Sequence, residues 1–124
     1  MAESDKAFLV CDDSSTMRRI VRTSLMRCGY ANTTEASDGS VALNLCKEQQ
    51  FDCVLTDWNM PNMDGLQLIT SLRSMPNYQS VPIIMITTEG AKDDVIEALT
   101  NGANSYIVKP FTPDVLKGKL DDVF

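Results

Sequence analysis

The sequence contains no histidine among its 124 residues. Ser-His-Asp catalysis, Cys-His catalysis and the common zinc sites each need an imidazole, so these classes of active site are excluded. The four cysteines show no C-x-x-C spacing and lie in apolar patterns. We therefore interpret Cys11, Cys28, Cys46 and Cys53 as reduced, buried, small hydrophobic residues without a metal or redox role.

Long apolar runs and an excess of positive charge are also missing. No stretch approaches the roughly 20 apolar residues that span a bilayer. The polar, acidic segment 1–6 is followed by an apolar run too short for a signal peptide. Seventeen Asp and Glu against eleven Lys and Arg give a formal charge of -6, which repels nucleic acid and anionic lipid. We expect a cytoplasmic protein that binds neither nucleic acid nor membranes.

Four short apolar runs lead directly into polar residues that can do chemistry. The runs are 8–11, 53–56, 83–86 and 106–108, and the residues that follow them are Asp12 and Asp13, Asp57, Thr87 and Lys109. Continuous apolar runs too short for a helix are typical of strands buried on both faces. Ligands of open parallel sheets bind outside the carboxyl ends of the strands. We therefore expect three carboxylates, a hydroxyl and an ammonium to converge.

Segments with helical periodicity separate these strands. They cover residues 14–28, the residues after the turn at 37–39, residues 64–75, residues 91–99 and the residues after Thr112, and a weak strand covers 31–36. The apolar stripes that we expect to face the sheet include Ile20 in the first helix and Leu99 in the fourth. Five strands alternating with five helices predict βαβ units with right-handed crossovers. We predict one α/β domain, residues 1–124, with a flavodoxin-like doubly wound (βα)5 sheet.

The carboxylates of Asp12, Asp13 and Asp57 lie close together if the strand order is 2-1-3-4-5, because the first and third strands are then neighbours. Like charges at close range raise each other's pKa, and a divalent cation or a lysine usually relieves this repulsion. Oxygen ligands without Cys or His favour a hard ion, so we expect Mg²⁺, with Lys109 adding a further positive charge. An Asp-Asp pair alone more often belongs to a solvated loop. The reactive residues at the other strand ends favour a metal-binding site instead.

Such a site suits phosphoryl transfer to a carboxylate. An aspartate can attack phosphorus and form an aspartyl phosphate while cations neutralise the equatorial oxygens. We predict Asp57 as the nucleophile, since Asp12 and Asp13 lead directly into a helix and are better placed to hold a metal. Lys109 would bind one phosphoryl oxygen as a point charge, and Thr87 would donate a hydrogen bond to another.

The motifs around these residues resemble the receiver domain of two-component response regulators. The resemblance spans essentially the whole chain and rests on Asp12-Asp13, residues 57–61, residues 63–65, Thr87 and residues 109–111. Residues 15–22, Asn59, Glu89, Tyr106 and 109–112 narrow the resemblance to single-domain chemotaxis regulators. The strand order 2-1-3-4-5 is that of this family, so it is not independent of the resemblance.

The resemblance implies how the site is used. A partner histidine kinase would phosphorylate Asp57, with Mg²⁺ bound by Asp13, Asp57 and the Asn59 carbonyl and with Asp12 assisting through water. The peptide bond between Lys109 and Pro110 is commonly cis in this family. Such a protein promotes its own phosphorylation and dephosphorylation but is a signalling protein rather than an enzyme.

The resemblance also implies an output. Thr87 and Tyr106 would rearrange after phosphorylation, and the surface of the fourth helix, fifth strand and fifth helix, with Lys119 in it, would bind the flagellar motor switch protein. A monomer is expected, with a phosphatase as a further candidate partner. The residues expected to modulate the lifetime of the phosphoryl group are Asn59, Thr88 and Glu89. Thr88 departs from the small residue, commonly alanine, of the family, and its bulk would slow access to Asp57.

Other functions share parts of this pattern. A flavodoxin-type electron carrier has the same architecture, but Asp12 and Asp13 would then face the flavin phosphate, where a hydroxyl- and glycine-rich loop is needed. A phosphatase with an aspartyl nucleophile normally has a second Asp two residues on, where this chain has Asn59. An interaction module that is never phosphorylated remains open. So does a phosphate sink, or a regulator of a different phosphorelay, in place of motor binding.

Overall fold

A parallel five-stranded sheet forms the centre of the structure, a computed structural model that describes residues 5–124. The strands are β1 (Phe8–Cys11), β2 (Thr33–Ala36), β3 (Cys53–Thr56), β4 (Ile83–Thr87) and β5 (Ser105–Val108). Their order is β2-β1-β3-β4-β5, which confirms the predicted flavodoxin-like fold. Residues 1–4, which belong to the polar segment noted at the N-terminus, lie outside the described residues.

Within residues 5–124, four α-helices connect the strands and a fifth follows β5, all close to the predicted positions. They are α1 (Ser15–Arg27), α2 (Gly39–Glu48), α3 (Gly65–Arg73), α4 (Lys92–Thr100) and α5 (Pro113–Val123), and a 3₁₀ turn at Pro76–Tyr78 precedes β4. Four of the helices begin after a residue whose side chain accepts a hydrogen bond from the backbone N–H three positions on. These capping residues are Ser14, Asp38, Asp64 and Thr112. Within residues 5–124, no helix has the length and apolar character needed to span a bilayer.

The helices cover both faces of the sheet, because side chains of successive strand residues alternate between the faces. Phe8 and Val10 of β1 pack with buried residues of α1 and α5. Leu9 and Cys11 of the same strand pack with buried residues of α2, α3 and α4. All five strands are parallel, so their carboxyl ends lie at the same end of the sheet, which is where ligands of such folds bind.

Two predicted core positions are wrong. Ile20 of α1 is 42% exposed and Leu99 of α4 is 44% exposed, although both lie on the apolar stripe of their helix. The stripe is wider than the sheet surface that each helix contacts, and Ala98 is the one buried residue of α4. The four cysteines are free thiols, as expected, but Cys28 is only half-buried because it follows the last turn of α1.

Asp38 connects the start of α2 with the loop that follows β3. Its carboxylate accepts hydrogen bonds from the Ser40 hydroxyl at 2.6 Å, the Val41 N–H at 2.9 Å and the Asn62 amide at 2.9 Å. These bonds, the one from Ser40 foremost, lower the pKa of Asp38 to about 2. The ionised form of Asp38 therefore stabilises the folded protein.

We expect Asp38→Ala to lower the free energy of unfolding by about 1 kcal/mol at pH 7, since it removes a helix cap. Because the folded pKa lies below the unfolded value of about 3.9, the charge-dependent part is complete above that value and is lost as the pH falls toward 2. Urea denaturation between pH 7 and pH 2 measures this. Asp38→Asn keeps an acceptor oxygen without the charge and serves as control. A wild-type advantage over Asp38→Ala that stays constant down to pH 2 would contradict the role of the charge.

Candidate functional site

Three carboxylates meet at the carboxyl edge of the sheet. Cys11 of β1 lies opposite Thr56 of β3, so the residues that follow these two strands are neighbours. The Asp57 N–H donates to the Cys11 carbonyl at 2.9 Å, which joins the two strand ends. One carboxylate oxygen each of Asp12, Asp13 and Asp57 lies within 4.8 Å of the other two. The topology therefore concentrates negative charge at one point.

Lys109 reaches this cluster from the end of β5. Its Nζ lies 2.6 Å from Asp12 Oδ2 and 3.2 Å from Asp57 Oδ2. The three side chains are largely buried, with 9% of Lys109, 5% of Asp12 and 12% of Asp57 exposed. The Lys109 N–H donates to the Thr87 carbonyl at 2.8 Å, which fixes the backbone from which the side chain extends. The peptide bond between Lys109 and Pro110 is cis.

The charges of the cluster influence one another. Burial opposes the charged form of Lys109, but the hydrogen bond to Asp12 and the charge of Asp57 outweigh it, so the pKa of Lys109 is raised. Burial also raises the pKa of the Asp12 carboxyl, and the Lys109 ammonium opposes that shift. Three ionised carboxylates facing one ammonium leave two negative charges in excess. A dication would balance them.

The oxygens of the cluster differ in their availability. Asp12 is buried, and its Oδ1 accepts from the Ser14 N–H at 2.9 Å while its Oδ2 accepts from Lys109. Asp57 Oδ1 accepts from the Trp58 N–H at 2.6 Å. Asp13 is exposed to solvent. An all-oxygen donor set with one carboxylate open to water fits a hard cation such as Mg²⁺, which keeps several water ligands.

The loop after β3 carries Asn59 and is held close to Asp57 by a glycine. The Gly65 N–H donates to the Trp58 carbonyl at 2.8 Å. A Cβ atom at Gly65 would lie 2.1 Å from the carbonyl oxygen of Asp57, so any larger residue would push α3 away from the site. Asn59 is exposed and lies two residues after Asp57, and Trp58 is half-buried against the hydrophobic core. The requirement for Gly65 was not recognised from the sequence.

The hydroxyl predicted to sense the site lies at the end of β4. Thr87 is fully buried, and its Oγ1 accepts from the Glu89 N–H at a long 3.5 Å. The Tyr106 hydroxyl donates to the Glu89 carbonyl, so the backbone of Glu89 connects Thr87 with Tyr106. Thr88 is exposed and lines an apolar groove of about 430 Å³ beside Lys109. That its bulk slows access to Asp57 stays a prediction.

The predicted partner surface carries exposed apolar side chains. Helices α4 and α5 both pack against β5, so the three elements adjoin. Four of their large apolar residues are 44–50% exposed, namely Ile96, Leu99, Val108 and Val115. Tyr106 of β5 and Lys119 of α5 are half-buried. Exposed apolar residues on adjoining elements are typical of protein interaction surfaces.

Two links to the site were missed at the level of sequence. Arg18 lies off the apolar stripe of α1, and its guanidinium donates to the Asp12 carbonyl at 2.6 Å. Asn62, with a positive φ of 67°, ties the loop after β3 to Asp38. An arginine off an apolar stripe has the same sequence pattern whether it is solvated or bound, so the spacing held no signal for Arg18.

Comparisons with known proteins agree with this geometry. Residues 8–121 match the response regulator receiver domain family. The chain is similar to a chemotaxis protein CheY homologue of Campylobacter jejuni, with 53% identity over 116 residues that cover 93% of this chain and 89% of the relative. Its fold is similar to that of chemotaxis protein CheY4 of Vibrio cholerae, with a TM-score of 0.90, 34% identity and coverage of 98% and 100% of the two chains.

A third comparison concerns the metal. The receiver domain of the sensor histidine kinase PA1611 of Pseudomonas aeruginosa has a TM-score of 0.87 and 28% identity to this chain, covering 96% of this chain and 97% of that one. Its crystal structure has a magnesium ion coordinated in the active-site cleft.

We expect Mg²⁺ to bind without phosphate and to change the fluorescence of Trp58, the sole tryptophan. The backbone N–H of Trp58 donates to the Asp57 carboxylate, so a dication at the cluster alters the surroundings of the residue that carries the indole. Asp13→Ala should weaken binding strongly, because it removes the most accessible carboxylate.

Fluorescence titration with Mg²⁺ measures both effects. Asp122→Ala, which removes an exposed carboxylate from α5, is the control and should titrate like the wild type. Identical curves for the wild type and Asp13→Ala would show that the metal assignment is wrong.

Proposed function

The chain belongs to the response regulator receiver domain family, and on this basis we propose that it is a cytoplasmic chemotaxis regulator that accepts a phosphoryl group on Asp57. Members of this family are signalling proteins. The observation that carries the proposal is the position of Asp57, whose carboxylate lies 3.2 Å from the Lys109 ammonium within the cluster of three carboxylates. The donor is a phosphohistidine of a partner kinase.

In the reaction, the Asp57 carboxylate attacks phosphorus and the bond from phosphorus to the histidine nitrogen breaks. The second ring nitrogen takes up a proton from solvent, so that the imidazole leaves as the neutral base. Mg²⁺ held by Asp13, Asp57 and the Asn59 carbonyl, with Asp12 assisting through water, would neutralise charge on the carboxylates and on the phosphoryl oxygens. The shorter contact of Lys109 is to Asp12, at 2.6 Å. The ammonium can therefore leave Asp57 for a phosphoryl oxygen while Asp12 still holds it.

The phosphoryl group then acts on Thr87. The 3.5 Å contact of its hydroxyl with the Glu89 N–H is weak, so a phosphoryl oxygen is a better partner. Movement of Thr87 releases Glu89, whose carbonyl holds the Tyr106 hydroxyl. The signal thus passes through the backbone of the loop after β4.

The output is binding of the flagellar motor switch protein to the surface formed by α4, β5 and α5, including Tyr106 and Lys119. The exposed apolar residues of this surface support a protein partner. A phosphatase would end the signal, and we assign Asn59, Thr88 and Glu89 to the lifetime of the phosphoryl group. A phosphate sink, or a regulator of a different phosphorelay, uses the same chemistry without motor binding.

The chemistry is tested with small donors. Acetyl phosphate with Mg²⁺ should add one phosphoryl group at Asp57, labile to hydroxylamine as acyl phosphates are, and Asp57→Asn should abolish it. Lys109→Arg should not support signalling, since a planar guanidinium does not replace a compact ammonium between two buried carboxylates. Intact-protein mass spectrometry gives the stoichiometry. Full phosphorylation of Asp57→Asn would show that another residue is the nucleophile.

The output is tested by calorimetry with a peptide of the motor switch protein. Beryllofluoride, a stable phosphoryl mimic, should strengthen binding by ~1–3 kcal/mol, and by reciprocity the peptide should favour phosphorylation equally. Thr87→Ala should still accept a phosphoryl group but lose most of this gain. Thr88→Ala removes the adjacent, exposed hydroxyl and should keep the gain in peptide affinity. Equal peptide affinity with and without the mimic would reject the switch and favour the phosphate sink.

A further inference from the structure

We propose that Arg18 is a positioning residue of the metal site, because its guanidinium holds the carbonyl of Asp12 and is itself held by Glu35. The inference rests on the Mg²⁺ site of the proposed function. It concerns a part of the chain outside the cluster, since Arg18 lies in the second turn of α1 and Glu35 lies in the edge strand β2.

The contacts of Arg18 form a bridge between three elements. Its Nη1 donates to the Asp12 carbonyl at 2.6 Å, and its Nε donates to Glu35 Oε1 at 2.7 Å. Its side chain is only 17% exposed. Arg22, one turn further along α1, binds the other oxygen of Glu35 at 2.8 Å and the Thr33 hydroxyl at 3.1 Å. Glu35 is thus fixed by two guanidinium groups.

The Asp12 carbonyl belongs to the peptide unit that joins Asp12 to Asp13. A peptide unit is planar, so the direction of this carbonyl sets the orientation of the Asp13 N–H and of the backbone that carries the Asp13 side chain. The other polar groups of Asp12 are also held, its N–H by the Ala36 carbonyl and its carboxylate by Ser14 and Lys109. Arg18 completes the fixation of Asp12 and directs Asp13 toward Asp57.

Charge alone does not explain this arrangement. A cationic guanidinium beside a cation site repels the metal ion, yet the Arg18 guanidinium lies against the backbone of a metal-site residue. Glu35 offsets part of the charge, and the hydrogen bond from Arg18, foremost, lowers the pKa of Glu35, so that Glu35 is ionised at neutral pH. What Arg18 contributes is therefore geometry. Partners that orient metal ligands from outside typically account for about 10–100-fold in metal affinity.

Arg18→Lys tests the inference, because it keeps the charge but not the two-pronged contact with Asp12 and Glu35. We expect Mg²⁺ binding, followed by Trp58 fluorescence, to weaken about 10-fold. Arg22→Lys is the matched control, since it makes the same change on the same helix, against the same Glu35, without a contact to Asp12. The control should stay within about twofold of the wild type. Thermal unfolding without Mg²⁺ confirms that both variants are folded.

Two further measurements separate geometry from charge. The loss of Mg²⁺ affinity in Arg18→Lys should persist in 1 M KCl, where the screening length is about 3 Å. At the same salt concentration, which screens the lost charge of Glu35, Glu35→Gln loosens Arg18 without altering it and should also weaken Mg²⁺ binding. This variant serves if Arg18→Lys does not fold. Wild-type affinity in Arg18→Lys, or an equal loss in Arg18→Lys and Arg22→Lys, would overturn the inference. Failure of the wild type itself to bind Mg²⁺ would instead reject the proposed metal site.

Discussion

The contact of the Lys109 ammonium with Asp12 and Asp57 is the interaction on which the rest of the site depends. Without it, three carboxylates would converge at a largely buried point with no positive charge between them, and their repulsion would oppose folding. With it, two negative charges remain in excess. The site is thus stable enough to form, but its negative charge is not fully balanced. A dication, or a phosphoryl group together with its metal ion, binds well under this condition.

The same lysine lies on the path by which we propose that the site reports its state. Lys109 follows β5, and its N–H is bonded to the carbonyl of Thr87 at the end of β4. Tyr106, three residues before it, is bonded to the loop that begins after Thr87. In the proposed switch, a change at Asp57 is transmitted over two adjacent strand ends and one loop. Such a short path suits a surface with two conformations, whose equilibrium can be shifted both from Asp57 and from a partner bound to the surface.

The elements around the site hold it in place from outside. Arg18 and Glu35 connect the end of β1 to the edge strand, Asp38 and Asn62 connect the loop after β3 to the start of α2, and Gly65 lets α3 begin against the backbone of Asp57. None of these contacts uses the carboxylate oxygens of Asp13 or Asp57. These contacts thus fix the backbone that carries Asp13 and Asp57, while the exposed Asp13 carboxylate stays open to solvent.

The sequence alone determined the class of fold, the strand ends and the identity of the groups that meet there. This was possible because buried parallel strands are continuous apolar runs, and each such run here leads into a reactive residue. Only the tertiary structure decided that Ile20 and Leu99 are exposed, that Gly65 must lack a side chain and that Arg18 binds the Asp12 carbonyl. Periodicity shows which side of a helix is apolar, but not how much of that side the sheet covers. Gly65 and Arg18 approach backbone atoms of Asp57 and Asp12 only because the chain folds back there, and such contacts leave no mark in local spacing.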